Sequence, residues 1–286
     1  MTTTDISAPA TFAHTTPEHG THPTATGASY LTTAASTSRR CVLKFSRTPQ
    51  LLVMGTVQGA LFLFMFRYVF GGAISPGGAI NYVDFLVPGF IVTTILWTGM
   101  GAAAGVAEDS ATGVYDRLRS LPIPRSAVML GRALADAMLV TWGLLITSVL
   151  GFILGFRTHG SLGAVAGGFA LTIVAGFAFT GVFILIGLIS GNAQAAQGMS
   201  MLVIPFSFIS SANVPVKSMP GWMQPFAANQ PVSVIINAVR SLMQGGTQAV
   251  GIDHSTSYWV VLSLIWCAGI MLVFGALTTT RFARTK

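Results

Sequence analysis

Charge is what this chain has least of. Of its 286 residues, 15 are Lys or Arg and 8 are Asp or Glu, only 8% together. A soluble domain carries about 25% charged residues, on the order of 70 for a chain of this length. So few charges cannot cover a water-facing surface, which excludes a soluble globular protein. Cysteine is scarce too: Cys41 sits in a basic flank and Cys267 in an apolar run. Two cysteines so placed exclude a disulfide scaffold. Beyond residue 38 no long polar tract occurs, so disorder is excluded for the bulk of the chain. What fills the sequence is apolar: 52% hydrophobic residues and 32 glycines. The class that fits is an integral membrane protein built from helices, because in lipid the backbone must satisfy itself.

Several catalytic signatures are missing as well. There is no G-x-x-x-x-G-K-[ST] phosphate loop; Lys44, Lys217 and Lys286 all stand in other contexts. The chain is therefore not expected to hydrolyse ATP by itself. No H-E-x-x-H and no G-x-S-x-G occurs, and the acids that ion-coupled carriers keep in mid-membrane are nearly absent. Asp84 and Asp136 come closest, each near the end of an apolar segment. His14, His19 and His22 lie in a polar stretch and read as solvated rather than as metal ligands.

The net charge of +7 raises nucleic acid as a partner, but its distribution argues against one. The bases fall in three clusters, Arg39–Arg47, Arg117–Arg132 and Arg281–Lys286, separated by charge-poor stretches. That is the pattern of a polytopic membrane protein, not of a basic groove. Six apolar segments follow one another at about 51–70, 84–107, 133–156, 164–190, 195–212 and 258–279, each near the ~20 residues that cross a ~30 Å core. Residues 1–37, rich in Thr, Ser, Ala and Pro, are expected to form a disordered tail with no secretory core.

Six spans put both termini on one side. That side holds Arg39, Arg40, Lys44 and Arg47, then Arg117, Arg119, Arg125 and Arg132, then Arg281, Arg284 and Lys286. The other holds only Arg67, Arg157, Lys217 and Arg240. The positive-inside rule then places both termini in the cytoplasm. The basic flank before Pro49 is suited to lie in the headgroup region, with Arg39, Arg40, Lys44 and Arg47 toward anionic lipid.

Two connections are too long to be turns. The cytoplasmic loop 108–132 contains VYDRLRSL, one short helix ended by Pro122 and Pro124. Val114, Leu118 and Leu121 fall on one stripe, with Asp116, Arg117 and Arg119 elsewhere. Such a helix either docks into a partner's groove or anchors two spans at the interface. The external segment 213–246 holds two half-length pieces, 219–229 and 231–246, broken at Asn229–Gln230–Pro231. Pro231 suits a first turn and Gly245 a C-terminal stop. Val232, Ile235, Ile236, Val239 and Met243 make an apolar stripe opposite Asn237, Arg240 and Gln244. Trp222 fits an interfacial anchor. This pair is either re-entrant, and then a candidate gate, or a hairpin lying on the surface.

Four stretches taken in order carry a resemblance: FRYVFGGAI (66–74), FLVPGFIV (85–92), GVYDRLRSLPIPR leading to GRALAD (113–136), and MPGWMQPFAANQPVS (219–233). Together they resemble ABC type-2 transporter permeases, most nearly the daunorubicin-resistance type of actinobacteria, over about residues 38–280. The resemblance implies an all-α membrane domain over 38–286. It has six transmembrane helices, an interfacial helix around Arg39, Arg40, Lys44 and Arg47, and an external re-entrant pair before the last span. It makes Tyr115, Asp116, Arg117, Leu118, Arg119, Leu121 and Pro122 the coupling helix that touches a separate ABC ATPase subunit. It makes Pro220, Trp222, Phe226, Asn229 and Pro231 the external gate. The Asn229-Gln230-Pro231 break departs from the family's Asn-Pro.

The resemblance also implies a dimer with a second permease copy or paralogue, ATP and Mg held only by the partner ATPase, and no cofactor in this chain. The cargo would be a hydrophobic drug, lipid or glycolipid leaving across the bacterial cytoplasmic membrane. Two rivals stand beside this reading. One is an ion-coupled carrier of hydrophobic compounds using Asp84 and Asp136. The other is a lipid-modifying enzyme using His159 and His254.

Overall fold

The computed structural model describes residues 29–47, 49–72, 80–121 and 123–284. Among them every regular element is helical. The order is α1 (Tyr30–Ser46), α2 (Pro49–Met65, continued by a π-helical turn Phe66–Phe70), α3 (Tyr82–Ala111), α4 (Val114–Arg119), α5 (Arg125–Ile153), α6 (Leu162–Ile189), α7 (Ala193–Ser200), α8 (Val203–Phe208), a 3₁₀ turn Val216–Ser218, α9 (Gln224–Asn229), α10 (Pro231–Met243), α11 (Thr247–Val250) and α12 (Thr256–Arg284). By length and composition α3, α5, α6 and α12 are each apolar enough to cross a membrane. The absence of strands follows from the solvent this surface is made for, since an open sheet edge in lipid leaves hydrogen bonds unmade.

α3 is the central helix. Its most apolar stretch is 56% buried, against 11% for α12, and it packs on α5, α6, α7 and α10. Small residues allow these approaches. A methyl group on Gly187 of α6 would meet the Ala103 carbonyl of α3 at 2.6 Å. The Thr94 and Thr147 hydroxyls share an interhelical hydrogen bond of 3.2 Å. The outward face of α12, with Val261, Leu264, Ile265, Leu272 and Val273, stays exposed and apolar.

Helix ends follow local chemistry. Ser161 and Asn192 cap α6 and α7 by accepting the amides of Ala164 and Ala195. Gly113, at φ +70°, turns the chain between α3 and α4. Pro49 opens α2, and Gly245, at φ +78°, follows the end of α10.

Three expectations are corrected. First, the polar tail does not extend to residue 37: α1 begins at Tyr30. Thr33, Ala34, Thr37, Ser38 and Cys41 form its buried stripe, and the helix lies along α5. Hydropathy cannot see this contact because it is made by small residues. Gly131 of α5 has no side chain, and any β-carbon there would run into the Ala34 carbonyl. Second, the segment 195–212 is not one helix but α7 and α8, interrupted at Met201–Leu202. Pro205 lacks the amide that would bond Met201, so the turn before it is broken. Instead Ile204 N–H donates to the Met201 carbonyl in a tighter turn of 3.0 Å. Third, the polar face of α10 is as buried as its apolar face.

The α1–α5 crossing gives a direct test. Cys41 is buried in it, and that burial pushes its thiol up despite the nearby Arg132 and Arg40 charges. Gly131→Val overpacks the crossing at a cost of roughly 1–3 kcal/mol, which raises the undocked population about 5- to 150-fold. Maleimide labelling of Cys41 in micelles should accelerate accordingly; an unchanged rate would show that α1 does not depend on this contact.

Candidate coupling and gating sites

α1, α3 and α5 meet around one guanidinium. Arg132 of α5 donates through Nε to Asp136 (3.0 Å), through Nη1 to Asp109 of α3 (3.3 Å) and through Nη2 to the Ala102 carbonyl (3.1 Å). Its side chain is essentially inaccessible, as are both carboxylates. Asp109 also takes Arg40 at 3.3 Å and Lys44 at 3.2 Å, and Lys44 reaches Glu108 at 2.8 Å. For Lys44, partial burial works against the charge, but the bonds to Glu108 and Asp109 outweigh it and the ammonium is held above its ordinary value. Two of the four bases expected to face lipid, Arg40 and Lys44, thus pair with acids of their own chain, while Arg39 and Arg47 are exposed.

α4 sits directly beneath this knot. Tyr115 is buried among Val106, Val128, Met129 and Ile184, its ring edge-on to Phe282 of α12 at 5.4 Å. Burial pushes its phenol well above the ordinary value. Leu118 packs against the same cluster. The apolar side of the helix therefore faces its own chain, and the face left outward carries Asp116, Arg117 and Leu121, the last 52% exposed. The expected stripe of Val114, Leu118 and Leu121 is thereby split: the large buried anchor is Tyr115. The side chain of Arg119 and all of Pro122 lie outside the described residues.

The opposite end of α3 is organised by a second guanidinium. Arg240 of α10 is fully buried and has no carboxylate partner among the described residues. Its Nε donates to the Phe85 carbonyl (2.9 Å), and its Nη2 to those of Ser211 (2.7 Å) and Ala212 (3.3 Å). The guanidinium lies 3.7 Å from the centroid of the Phe85 ring. Around it Ser211 bonds Asn237 and Ser233, and Tyr82 donates to the Asn213 carbonyl. Gly89 admits this turn, since a β-carbon there would strike the Ala212 carbonyl. The chain end after α8 is thus tied to α3 and α10.

Of the expected gate, Pro220, Trp222, Phe226 and Asn229 are exposed and Pro231 is half-buried; Trp222 is 79% exposed. α9 and α10 are separated by Gln230, whose backbone is extended at φ −66°, ψ 149°. Its side chain donates to the Phe206 carbonyl of α8 at 3.2 Å.

The rival acids are both engaged: Asp136 with Arg132, and Asp84 as acceptor of the Arg157 amide at 2.8 Å. His159 pairs with Gln244 at 2.9 Å, while His254 stacks on Tyr258.

The family model described as ABC-2 type transporter matches residues 34–243, from the first turns of α1 to the end of α10. The chain belongs to the ABC-2 type transporter family. It is 32% identical over 250 residues to a daunorubicin resistance ABC transporter permease protein of Streptomyces coeruleorubidus, covering 86% of this chain and 84% of that one. It is 28% identical over 266 residues to a doxorubicin resistance ABC transporter permease protein of Mycobacterium tuberculosis, covering 87% and 90%. An ABC-2 permease is the membrane subunit of its transporter and works with an ABC ATPase. The four long apolar helices fit a multi-pass membrane protein.

Within this permease, sequence reasoning missed Asp109, Arg132, Gln230 and Arg240 as organising residues. The spacing of Arg132 and Asp136, four apart on one helix, was a usable signal. So was an arginine set between apolar neighbours with no acid near it in sequence. Arg132→Met would leave the buried Asp136 carboxylate uncompensated and Asp109 held only by Arg40 and Lys44, a loss of about 3–5 kcal/mol. Lys44→Met removes a half-exposed pair and should cost no more than about 1 kcal/mol. Unfolding in micelles should separate the two variants clearly; equal losses would mean that the knot is not the stabilising unit.

Proposed function

We propose that this permease is the membrane half of an exporter that moves hydrophobic compounds outward across the bacterial cytoplasmic membrane. The cargo is daunorubicin- or doxorubicin-like drugs, or lipids and glycolipids, and the power comes from a separate ABC ATPase that holds the ATP and Mg. The relatives' names support the drug reading. The observation that carries the coupling role is α4, its apolar side fixed beneath the Arg132 knot and its Asp116, Arg117 and Leu121 face turned outward. A short helix so mounted acts as a rigid lever. Force on α4 passes through Tyr115 into α5, α6 and α12, and through Asp109 into α3 and α1.

In this reading Tyr115 to Pro122 is the coupling helix, α1 the interfacial helix, and α9–α10 the external re-entrant gate. The α2, α3, α5, α6, α7–α8 and α12 segments make six passes with both termini cytoplasmic. Two permeases, identical or paralogous, form the pathway, and ATP-driven closure of the ATPases switches them between two rigid-body states. No covalent chemistry falls to this chain. The Arg132–Asp136 pair and the Asp84–Arg157 contact favour this engine over an ion-coupled carrier, because an acid that serves as a structural acceptor is not free to cycle protons.

Co-expression with the ABC ATPase tests the coupling face. Arg117→Glu and Leu121→Asp alter only its outward side and should reduce co-purification and drug-stimulated ATP hydrolysis about tenfold or more, with unfolding unchanged. Full coupling in both variants would remove α4 from the interface.

A further inference from the structure

Two buried polar atoms beside the Arg132 knot have no hydrogen bond within the chain. Asp136 is 1% exposed; its Oδ2 takes Arg132 Nε, while its Oδ1 has no partner among the described residues. Tyr115 is 2% exposed, and its hydroxyl has no such partner either. The two are complementary, one an acceptor and the other a donor. They are also neighbours: the phenol lies near enough to Arg132, Asp109 and Asp136 for their charges to act on it. The cationic donors of the knot are committed elsewhere. Arg132 is bonded to Asp136 Oδ2, Asp109 and the Ala102 carbonyl, Arg40 to Asp109, and Lys44 to Asp109 and Glu108. Arg40, Lys44 and Arg132 balance Glu108, Asp109 and Asp136 when all three acids are ionised, so Oδ1 is a charged acceptor. Leaving such an acceptor and a phenol O–H unmet in the interior costs more than a single made bond contributes.

We propose that a buried water bridges the Tyr115 hydroxyl and Asp136 Oδ1, tying α4 to α5 by one hydrogen bond at each end. The water accepts from the phenol and donates to the carboxylate. Only a molecule that both accepts and donates meets the two groups together. A cation would bind Oδ1, but Arg132, Arg40 and Lys44 repel it and the phenol O–H stays unmet. An anion would take the O–H, but Asp136 and Asp109 repel it. An apolar group meets neither. Tyr115 is then a positioning residue. Its ring holds α4 in the apolar cluster, and its hydroxyl joins α4 to the charge network that continues through Arg132 and Asp109 into α3 and α1. The bridging water is independent of the exporter reading; its part in passing force from the ATPase rests on that reading.

The test is difference infrared spectroscopy on the full-length permease in phospholipid nanodiscs, in ordinary and in heavy-oxygen water. Wild type minus Tyr115→Phe should contain an O–H stretching band that moves to lower frequency in heavy-oxygen water, as only a water molecule's own oxygen allows. Tyr82→Phe, which removes a hydroxyl bonded to the Asn213 carbonyl, should retain that band. Tyr115→Phe should also lower the folding equilibrium constant in micelles about two- to tenfold, the net worth of one hydrogen bond. Where Tyr115→Phe fails to fold, as judged by its melting, Asp136→Asn takes its place and should move the same band to higher frequency, because a neutral amide is the weaker acceptor. A difference spectrum with no band sensitive to heavy oxygen overturns the proposal. So does a lost O–H band that moves only in deuterated water, which would mean a direct bond between phenol and carboxylate. In the complex with the ATPase, Tyr115→Phe should lower drug-stimulated ATP hydrolysis about two- to tenfold. Unchanged hydrolysis with the band lost would overturn the tether's part in coupling and leave the water standing. No drug-stimulated hydrolysis in the wild type, with the band present, would count against the exporter reading alone.

Discussion

The Arg132 guanidinium is the point on which the end of the molecule built from α1, α3, α4 and α5 depends. It is removed from water together with Asp109 and Asp136, and such a group is tolerable only when each member is answered by another. That requirement fixes three things at once. It sets the register of α5 against α3, the position of α1 through Arg40 and Lys44, and the floor on which α4 rests through Tyr115. A buried charge network with few alternative arrangements makes that floor rigid.

The opposite end of α3 uses the same principle with a different partner. Arg240 has backbone carbonyls in place of carboxylates, offered by the irregular turn after α8 and by Phe85 on α3. Irregular backbone inside a bundle exposes unpaired carbonyls, and in a membrane those must be answered from within the protein. The arginine and the broken helix are therefore complementary: the break supplies the acceptors, and the guanidinium makes the break affordable. The two guanidiniums bracket α3 at its opposite ends.

Much of the architecture was legible in the sequence because membrane helices must be long and apolar. α3, α5, α6 and α12 follow from segment length, and the α9–α10 break follows from Pro231. The interruption of the 195–212 segment was written in Pro205, but an apolar run masks a single helix breaker when hydropathy is averaged. The start of α1 was hidden because its packing face is built of Thr, Ala and Ser, whose composition is also that of a disordered tail. In α4 the stripe of Val114, Leu118 and Leu121 pointed to a short helix but to the wrong anchor. Tyr115 is amphipathic, and only its neighbours show that its ring is inside.

The sequence by itself determined the solvent, the helical class, the family and the places where force and cargo are expected to act. Each rests on composition or local order: too few charges for water, apolar runs of spanning length, four motifs in register. Tertiary structure alone decided which charges are structural. Asp136 and Asp84 differ from catalytic or ion-carrying acids not by residue type but by having Arg132 and the Arg157 amide against them. It also decided which side of α4 faces outward and that Arg240 lies inside. Apart from the Arg132–Asp136 pair, four residues apart on one helix, those are properties of contacts between segments distant in the chain, and no local pattern encodes a partner that lies far away in the sequence.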